Sequence, residues 1–164
     1  MSWQIFKEQF IPQPLNEVFN FFAKAENLEA ITPSWLRFRI RTPLPLEMQQ
    51  GTVIAYSIRW RWIPLRWSSI IKEWNPPHSF VDEQIKGPYK KWLHCHQFEA
   101  QSGGTLVRDI VDYEIPFGIL GRWLHRQLIR SDLEAIFEYR SRRVADYFNA
   151  ANISPSLMGY LDGF

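Results

Sequence analysis

The sequence has 164 residues, 46% of them hydrophobic, which fits one globular domain and argues against disorder. Its net charge of +2, spread along the chain, gives little support for a nucleic-acid partner, and its one cysteine, Cys95, excludes an internal disulfide. No apolar stretch approaches the roughly 18 residues of a membrane span, and no signal peptide is evident, so we expect a cytoplasmic protein.

The first part of the chain predicts a strand followed by two short helices. Residues 3–11 are β-prone, and Pro14 can begin a helix because its missing N–H costs nothing there. Apolar residues then recur on one helical face up to Phe22. A second short helix, which includes Leu28, is expected to end before Pro33.

From residue 37 to about residue 114 the hydrophobic period changes to two, which indicates strands. Pro- and Gly-rich turns divide this region into short runs, and Ile63-Pro64 is expected to interrupt one of them. Successive strands at such short spacing predict an antiparallel sheet of about six further strands, not βαβ units.

Residues 119–148 predict one long amphipathic helix, whose apolar stripe drifts slightly around the axis. Pro155 and two glycines then predict an irregular tail. We therefore expect one domain over residues 1–149 and an irregular tail over residues 150–164. The stripe consists of Leu120, Leu124, Leu128, Leu133, Ile136, Phe137, Val144, Tyr147 and Phe148.

The order of these elements predicts an α+β helix-grip fold, in which a curved antiparallel β-sheet wraps around a long C-terminal α-helix. The apolar stripe of the helix must be buried, and the sheet is the available partner. A strongly curved sheet cannot contact a straight helix along its whole face, so a cavity should remain between them. Because small domains normally pack without voids, we expect such a cavity to hold a ligand or water.

Several segments also carry a family resemblance. They are residues 10–19, 27–33, 80–84 and 87–89, the alternating Trp92, His94, His96 and Phe98, then Gly104-Thr105, Asp109, Tyr113 and Pro116, and finally residues 136–140. In this order they resemble the START/Bet v 1-like (SRPBCC) superfamily, in its bacterial polyketide cyclase/dehydrase-like or lipid-transport-like branch. The resemblance implies the helix-grip fold but no single activity, because the superfamily includes lipid carriers, receptors, cyclases, quinone-binding proteins and co-chaperones.

The most distinctive polar feature is the predicted strand that contains His94 and His96. Period two places both imidazoles on one face, together with Trp92 and Phe98. On the paired strand, Asp109 shares a face with Val111 and Tyr113, so it could orient a histidine for acid/base chemistry. Surface histidines or satisfied core histidines would explain the same pattern equally well.

Two other chemistries are weaker interpretations of this strand. A zinc site would need a third ligand besides His94 and His96, and Asp82 or Asp109 could supply it. Cys95 points to the opposite face, so the neighbouring histidines cannot readily activate it, and a structural thiol is the simpler interpretation. We therefore predict no metal, no cofactor and no catalytic residue.

The segment Arg59–Trp67 interleaves arginine with tryptophan. Such a segment could bind a membrane interface or stack on bases, but a plain β-hairpin is the simpler interpretation. The hairpin could also form the lip of the cavity and touch a membrane transiently. Arg140, near the helix stripe, could contact a carboxylate in the interior, although a side chain that extends toward solvent explains it more simply.

We predict that the protein binds a small hydrophobic or amphipathic ligand, such as a lipid, an isoprenoid, a quinone or a polyketide-like molecule. The alternative is a cyclase/dehydratase-type enzyme that uses His94, His96 or Asp109, and a further alternative is a protein-interaction domain with a filled interior. The sequence does not indicate the oligomeric state. The predicted ligand-binding residues are Tyr56, Trp67, Phe80, Gln84, Trp92, His94, His96, Asp109, Val111, Tyr113, Ile136 and Phe137.

Overall fold

The computed structural model describes residues 2–158. Its strands are β1 (Ser2–Ile11), β2 (Arg39–Ile40), β3 (Val53–Trp60), β4 (Ile63–Asn75), β5 (Ser79–Lys86), β6 (Lys91–Gln101) and β7 (Gly104–Glu114). Its helices are α1 (Leu15–Phe22), α2 (Ala25–Ile31), α3 (Gly118–Leu124) and α4 (Arg130–Met158), with a 3₁₀ turn (Ser34–Leu36) and a π turn (His125–Ile129).

The strands form one antiparallel sheet in the order β1-β7-β6-β5-β4-β3-β2. The first strand therefore returns to pair with the last one, and the remaining strands follow as a meander. Helices α1, α2 and α4 pack against one face of this sheet. The predicted α+β helix-grip fold is confirmed, including the two short helices after the first strand.

One half of the interior is a solid core, which we call the packed end. Here α1 inserts Val18 and Phe19 between the sheet and the part of α4 that carries Val144 and Phe148, and all four side chains are at least 95% buried. Phe19 stacks edge-on against Phe98 of β6, with the ring centroids 5.3 Å apart. Complete burial of each such side chain contributes on the order of 1.5–3 kcal/mol to folding.

The predicted break at Ile63-Pro64 is wrong, because β4 begins at Ile63 and pairs Pro64 with Arg59 of β3. Pairing of β4 with β5 starts only at Ser68, so Pro64 lies where β4 has β3 as its neighbour. A missing N–H is tolerated at such an edge position.

The predicted single helix is divided by the π turn, in which each residue donates to the fifth residue before it. Part of the predicted stripe does not face the sheet: Leu120, before the π turn, is 60% exposed, and Tyr147 of α4 is 52% exposed. Leu133, Phe137, Val144 and Phe148 are buried as expected.

The C-terminal region also differs from the prediction, because α4 continues to Met158 instead of ending near residue 149. Residues 150–154 contain no proline or glycine, so the backbone has no reason to leave the helix there. The rest of the predicted irregular tail, residues 159–164, lies outside the described residues. Among the described helices, none is long and apolar enough to cross a bilayer.

Candidate functional site: an apolar cavity with a polar wall

The curvature of the sheet leaves a cavity of about 360 Å³ between β3–β6, α2 and the first half of α4. Most of its wall is aromatic or aliphatic. Polar residues occur at several places in the wall, and four of them, on β5, β6 and α4, form a group that we call the polar patch: Asp82, His94, His96 and Arg140. The space is therefore a largely apolar pocket with a few polar groups, as is common in small-molecule sites.

The structure brings most of the predicted ligand-binding residues to this wall. Each of them lies on a strand or helix face that points inward, which fixes the orientation that the sequence left open. The residues on the wall are Tyr56, Trp67, Phe80, Trp92, His94, His96, Ile136 and Phe137.

Four predicted residues lie elsewhere, each for a local reason. The Gln84 side chain donates to the Tyr89 carbonyl at 2.7 Å and so closes the turn between β5 and β6. Val111 is fully buried in the core below the cavity. The Tyr113 hydroxyl lies 2.9 Å from Nε2 of the buried His125, and Asp109 lies behind the two histidines of β6.

Strand register assembles the polar patch. His94 is paired with Asp82 of β5, and His96 is paired with Asp109 of β7, so each imidazole has a carboxylate on a neighbouring strand. The expected alternation along β6 is confirmed, because Trp92, His94 and His96 are all buried on the same face. We call Asp82, His94, His96 and Asp109 the His–Asp tetrad.

Asp109 contacts both imidazoles of the tetrad through one oxygen. Its Oδ1 lies 3.0 Å from His94 Nε2, a hydrogen bond, and 2.7 Å from His96 Nδ1. The second contact is an ion-pair distance whose direction does not suit a hydrogen bond, so His96 Nδ1 is a buried nitrogen without a hydrogen-bond partner in the described chain. On the cavity side, Asp82 Oδ1 lies 3.6 Å from His94 Nδ1 and 3.5 Å from His96 Nε2.

Burial and charge act in opposite directions on these four groups. Burial favours the neutral carboxyl of Asp109, but the two adjacent imidazoles outweigh it and hold the pKa of Asp109 well below its usual range. Burial, followed by the neighbouring His96, lowers the pKa of His94. For His96, the two carboxylates outweigh burial and raise the pKa. The carboxylates are therefore ionised, and the two histidines are electrostatically different.

Aromatic rings hold the imidazoles in place. Phe80 stacks on His96 with the ring centroids 4.2 Å apart, and Phe137 of α4 meets His94 edge-on at 5.7 Å. The guanidinium carbon of Arg140 lies 5.5 Å from the centre of the Phe137 ring. Burial favours the neutral carboxyl of Asp82, but the two imidazoles, followed by Arg140, outweigh it and lower the pKa of Asp82. Arg140 thus faces the cavity and does not simply extend from the helix toward solvent, as the simpler interpretation had it.

Cys95 lies on the other face of β6 and is partly exposed there. Burial is the main cause that raises the pKa of its thiol, which disfavours the reactive thiolate. The structure therefore offers no activation of Cys95 by the histidines beside it in the sequence.

We call the border of the cavity at Trp60, Ile63 and Phe117 the mouth, because Ile63 and Phe117 are exposed there. The sequence did not indicate its contacts. The tip of the β3–β4 hairpin is tied to the first turn of α4, where the Trp60 indole donates to Asp132 at 2.7 Å and Arg61 forms an ion pair with the same carboxylate. Trp3 stacks on His125 with the ring centroids 4.2 Å apart, which fixes the π turn to β1. The only sequence signal for Asp132 was its position beside the apolar stripe. Nothing in the sequence pattern indicated the role of His125.

An antiparallel sheet that grips one long helix around an apolar pocket defines a helix-grip domain. The chain belongs to the polyketide cyclase/dehydrase and lipid transport family, whose model matches residues 11–137. This confirms the resemblance to the SRPBCC proteins and supports a role in binding hydrophobic ligands. A search of curated proteins found no significant sequence match.

Solved structures share this fold at low sequence identity. Protein TTHA0849 from Thermus thermophilus is 19% identical, with a TM-score of 0.68 over 91% of this chain and 99% of that one. Protein Ms6760 from Mycobacterium smegmatis is 12% identical, with a TM-score of 0.66 over 90% and 92%. Major latex-like protein 151 from Panax ginseng is 10% identical, with a TM-score of 0.62 over 90% and 97%. At these identities the likeness concerns the fold alone.

Proposed function

We propose that the protein binds and carries a small hydrophobic or amphipathic molecule, such as a lipid, an isoprenoid, a quinone or a polyketide-like compound. The observation that carries the proposal is the cavity of about 360 Å³ with a largely apolar wall. This volume lies within the range of about 300–1,000 Å³ that is typical of small-molecule pockets. Removing apolar ligand surface from water would contribute on the order of 25 cal/mol per Å².

The polar patch supports an amphipathic ligand in particular. Asp82, His94 and Arg140 lie on β5, β6 and α4 in a largely apolar wall. A ligand whose polar group meets this patch while its apolar part fills the remaining space would bind in one orientation. A purely aliphatic ligand would leave the polar patch without a partner.

The mouth of the cavity supports transient contact with an anionic membrane surface. Residues 115–131 contain three arginines and no acidic residue, and Arg122 and Arg126 are exposed among apolar side chains. Such a mixture of exposed apolar rings and arginines suits a lipid interface with anionic head groups. We call these apolar side chains the rim; they are Trp62, Ile63, Phe117, Ile119, Leu120 and Trp123, which are 42–78% exposed.

Ligand binding can be tested by filling the cavity. Ile136 lies on the cavity wall, so Ile136→Trp should lower the affinity for a fluorescent fatty-acid probe at least about 10-fold, the equivalent of 1.4 kcal/mol. Ile85→Trp is the matched control, because Ile85 is 57% exposed and is not part of the wall. Native mass spectrometry of the purified protein should show a copurified apolar species. Equal affinities for both variants, or no probe binding by the unmodified protein, would refute the proposal.

The alternative prediction, a cyclase/dehydratase-type enzyme, is favoured by one observation. His94 and His96 face the cavity, where they could act on a bound polyketide-like chain, whereas Asp109 could act only through them. This candidate requires turnover of such a chain, and His94→Gln should abolish that turnover while leaving affinity for the apolar probe largely intact. Equal turnover by His94→Gln would exclude it.

A further inference from the structure

Three hydrogen-bond acceptors of the His–Asp tetrad converge on one point at the cavity wall. In neutral imidazoles, the ring nitrogens that face Asp109 are His94 Nε2, which hydrogen-bonds to it, and His96 Nδ1, which lies 2.7 Å from it. The remaining lone pairs, on His94 Nδ1 and His96 Nε2, then face the carboxylate oxygen of Asp82. Acceptors that face one another repel unless a cation or a proton lies between them.

The spacing of these three atoms suits a metal ion better than a proton. The distances from Asp82 Oδ1 to the two nitrogens are 3.6 and 3.5 Å, too long for a side-chain hydrogen bond. A tetrahedral ion with bonds of about 2.0–2.1 Å separates adjacent ligand atoms by about 3.3–3.4 Å. All three candidate ligand atoms lie within 4.8 Å of one another.

Asp109 supplies what a metal site needs behind its ligands. Histidines that bind a metal usually donate their other ring N–H to a carboxylate, which fixes the tautomer and the ring orientation. Here one carboxylate oxygen lies 3.0 Å from His94 Nε2 and 2.7 Å from His96 Nδ1. His94 is held by a hydrogen bond to this oxygen, whereas His96 Nδ1 meets it as a close ion-pair contact without hydrogen-bond geometry.

The geometry points to a divalent transition-metal site, most suitable for Zn²⁺, with Asp82, His94 and His96 as ligands and Asp109 as the residue that positions both histidines. Two histidines and a carboxylate match the ligand set of a three-ligand zinc site with an open fourth position. That position faces the cavity, so an oxygen of a bound amphipathic molecule could occupy it. The inference goes beyond ligand carriage, since the cavity can bind an apolar molecule with or without the ion.

Metal binding can be measured directly on the full chain. We expect metal-free protein to bind one equivalent of Zn²⁺ in equilibrium dialysis, and Co²⁺ in its place to give the visible absorption typical of a four-coordinate ion with nitrogen and oxygen ligands. Fatty-acid probe affinity, measured separately on the metal-free protein, keeps this test distinct from that of the proposed function.

Variants of the tetrad then assign the ligands. Asp109→Asn should weaken Zn²⁺ binding about 10- to 100-fold, as is usual for a residue that orients a ligand, and Asp82→Asn or His94→Ala should weaken it further. His78→Ala is the matched histidine control, because His78 lies on the β4–β5 turn, away from the tetrad. Asp112→Asn is the carboxylate control on the opposite face of β7, where Asp112 accepts from Gln4. Both controls should bind like the unmodified protein.

Two results would overturn the inference. The first is that the unmodified protein binds no more Zn²⁺ or Co²⁺ than a folded His94→Ala variant does. The tetrad would then be a metal-free polar cluster. The other is a loss of binding in His78→Ala that equals the loss in His94→Ala, which would place the ion on the surface. If a tetrad variant fails to fold by circular dichroism, the stoichiometry and Co²⁺ spectrum of the unmodified protein decide alone.

Discussion

The packed end and the open end of this domain use the same sheet and the same helix for different purposes. At the packed end, α1 fills the space under the sheet with Val18 and Phe19, and the rings interlock around Phe98. At the open end, around the cavity, α2 lines the wall without filling the interior, and the gap between β3–β6 and α4 remains. The contrast teaches that the curved sheet leaves a gap over α4 only where α1 does not fill the space beneath it.

The two ends should respond differently to the same truncation. Phe19→Ala should lower the free energy of unfolding by about 3–5 kcal/mol, since Phe19 is packed on all sides by Trp74, Phe80 and Phe98. Phe137→Ala should cost less, because one side of Phe137 already borders the cavity. Urea unfolding of both variants checks this, and equal losses would mean that the interior is evenly packed.

The open end depends on a close contact at the start of the last helical region. A Cβ atom added at Gly121 would lie 2.0 Å from the Pro116 carbonyl oxygen, so the backbone would have to move. Gly121→Ala should therefore cost about 1–3 kcal/mol of unfolding free energy. Leu120→Ala, next to it but 60% exposed, should be nearly neutral, and comparable losses in both variants would contradict the packing argument.

The hairpin tip should matter more for ligand retention than for stability. Asp132→Ala removes the partner of Trp60 and Arg61 and should cost about 1–2 kcal/mol, since the contact is charge-assisted but partly exposed. Release of a fluorescent fatty acid, followed by stopped flow, should become faster. Asp132→Asn keeps an acceptor for the indole, so its stability and release rate should lie between those of the unmodified protein and of Asp132→Ala. Unchanged release in Asp132→Ala would show that the tip does not gate the mouth.

The rim should contribute least to stability. Trp62→Ser and Trp123→Ser should each change the unfolding free energy by no more than about 0.5 kcal/mol, because both rings are more than half exposed. They should nevertheless reduce cosedimentation with phosphatidylglycerol vesicles. Phe6→Ser, 54% exposed on β1, is the control and should bind vesicles normally. A loss of binding in that control equal to the loss in the rim variants would contradict a membrane contact at the mouth.

Most of the fold could be predicted from the sequence because period and turn chemistry are local signals. The alternation of Trp92, His94 and His96 was enough to place them on one face, and the order of elements then fixed the sheet and helix. Pro64 was misinterpreted because its tolerance depends on how far β5 extends along β4, which is a property of the sheet and not of the segment.

The site was only partly predictable for a similar reason. Asp109, Val111 and Tyr113 lie on the same face of β7, as predicted. None of them lines the cavity, because residues of the neighbouring elements lie between them and the open space. Asp82 becomes important through its pairing with His94, a contact across strands that no spacing within one segment encodes.

The π turn changes the rotation of α3 relative to α4 about the helix axis. Twelve residues separate Gly121 from Leu133, which in a regular α-helix would turn their directions apart by about 120°. One extra residue in a π turn takes up about 100° of that difference, so Gly121 and Leu133 can both be buried. Deleting one residue between positions 125 and 129 would restore a regular helix. It would rotate α3 relative to α4 and turn Trp123 away from solvent.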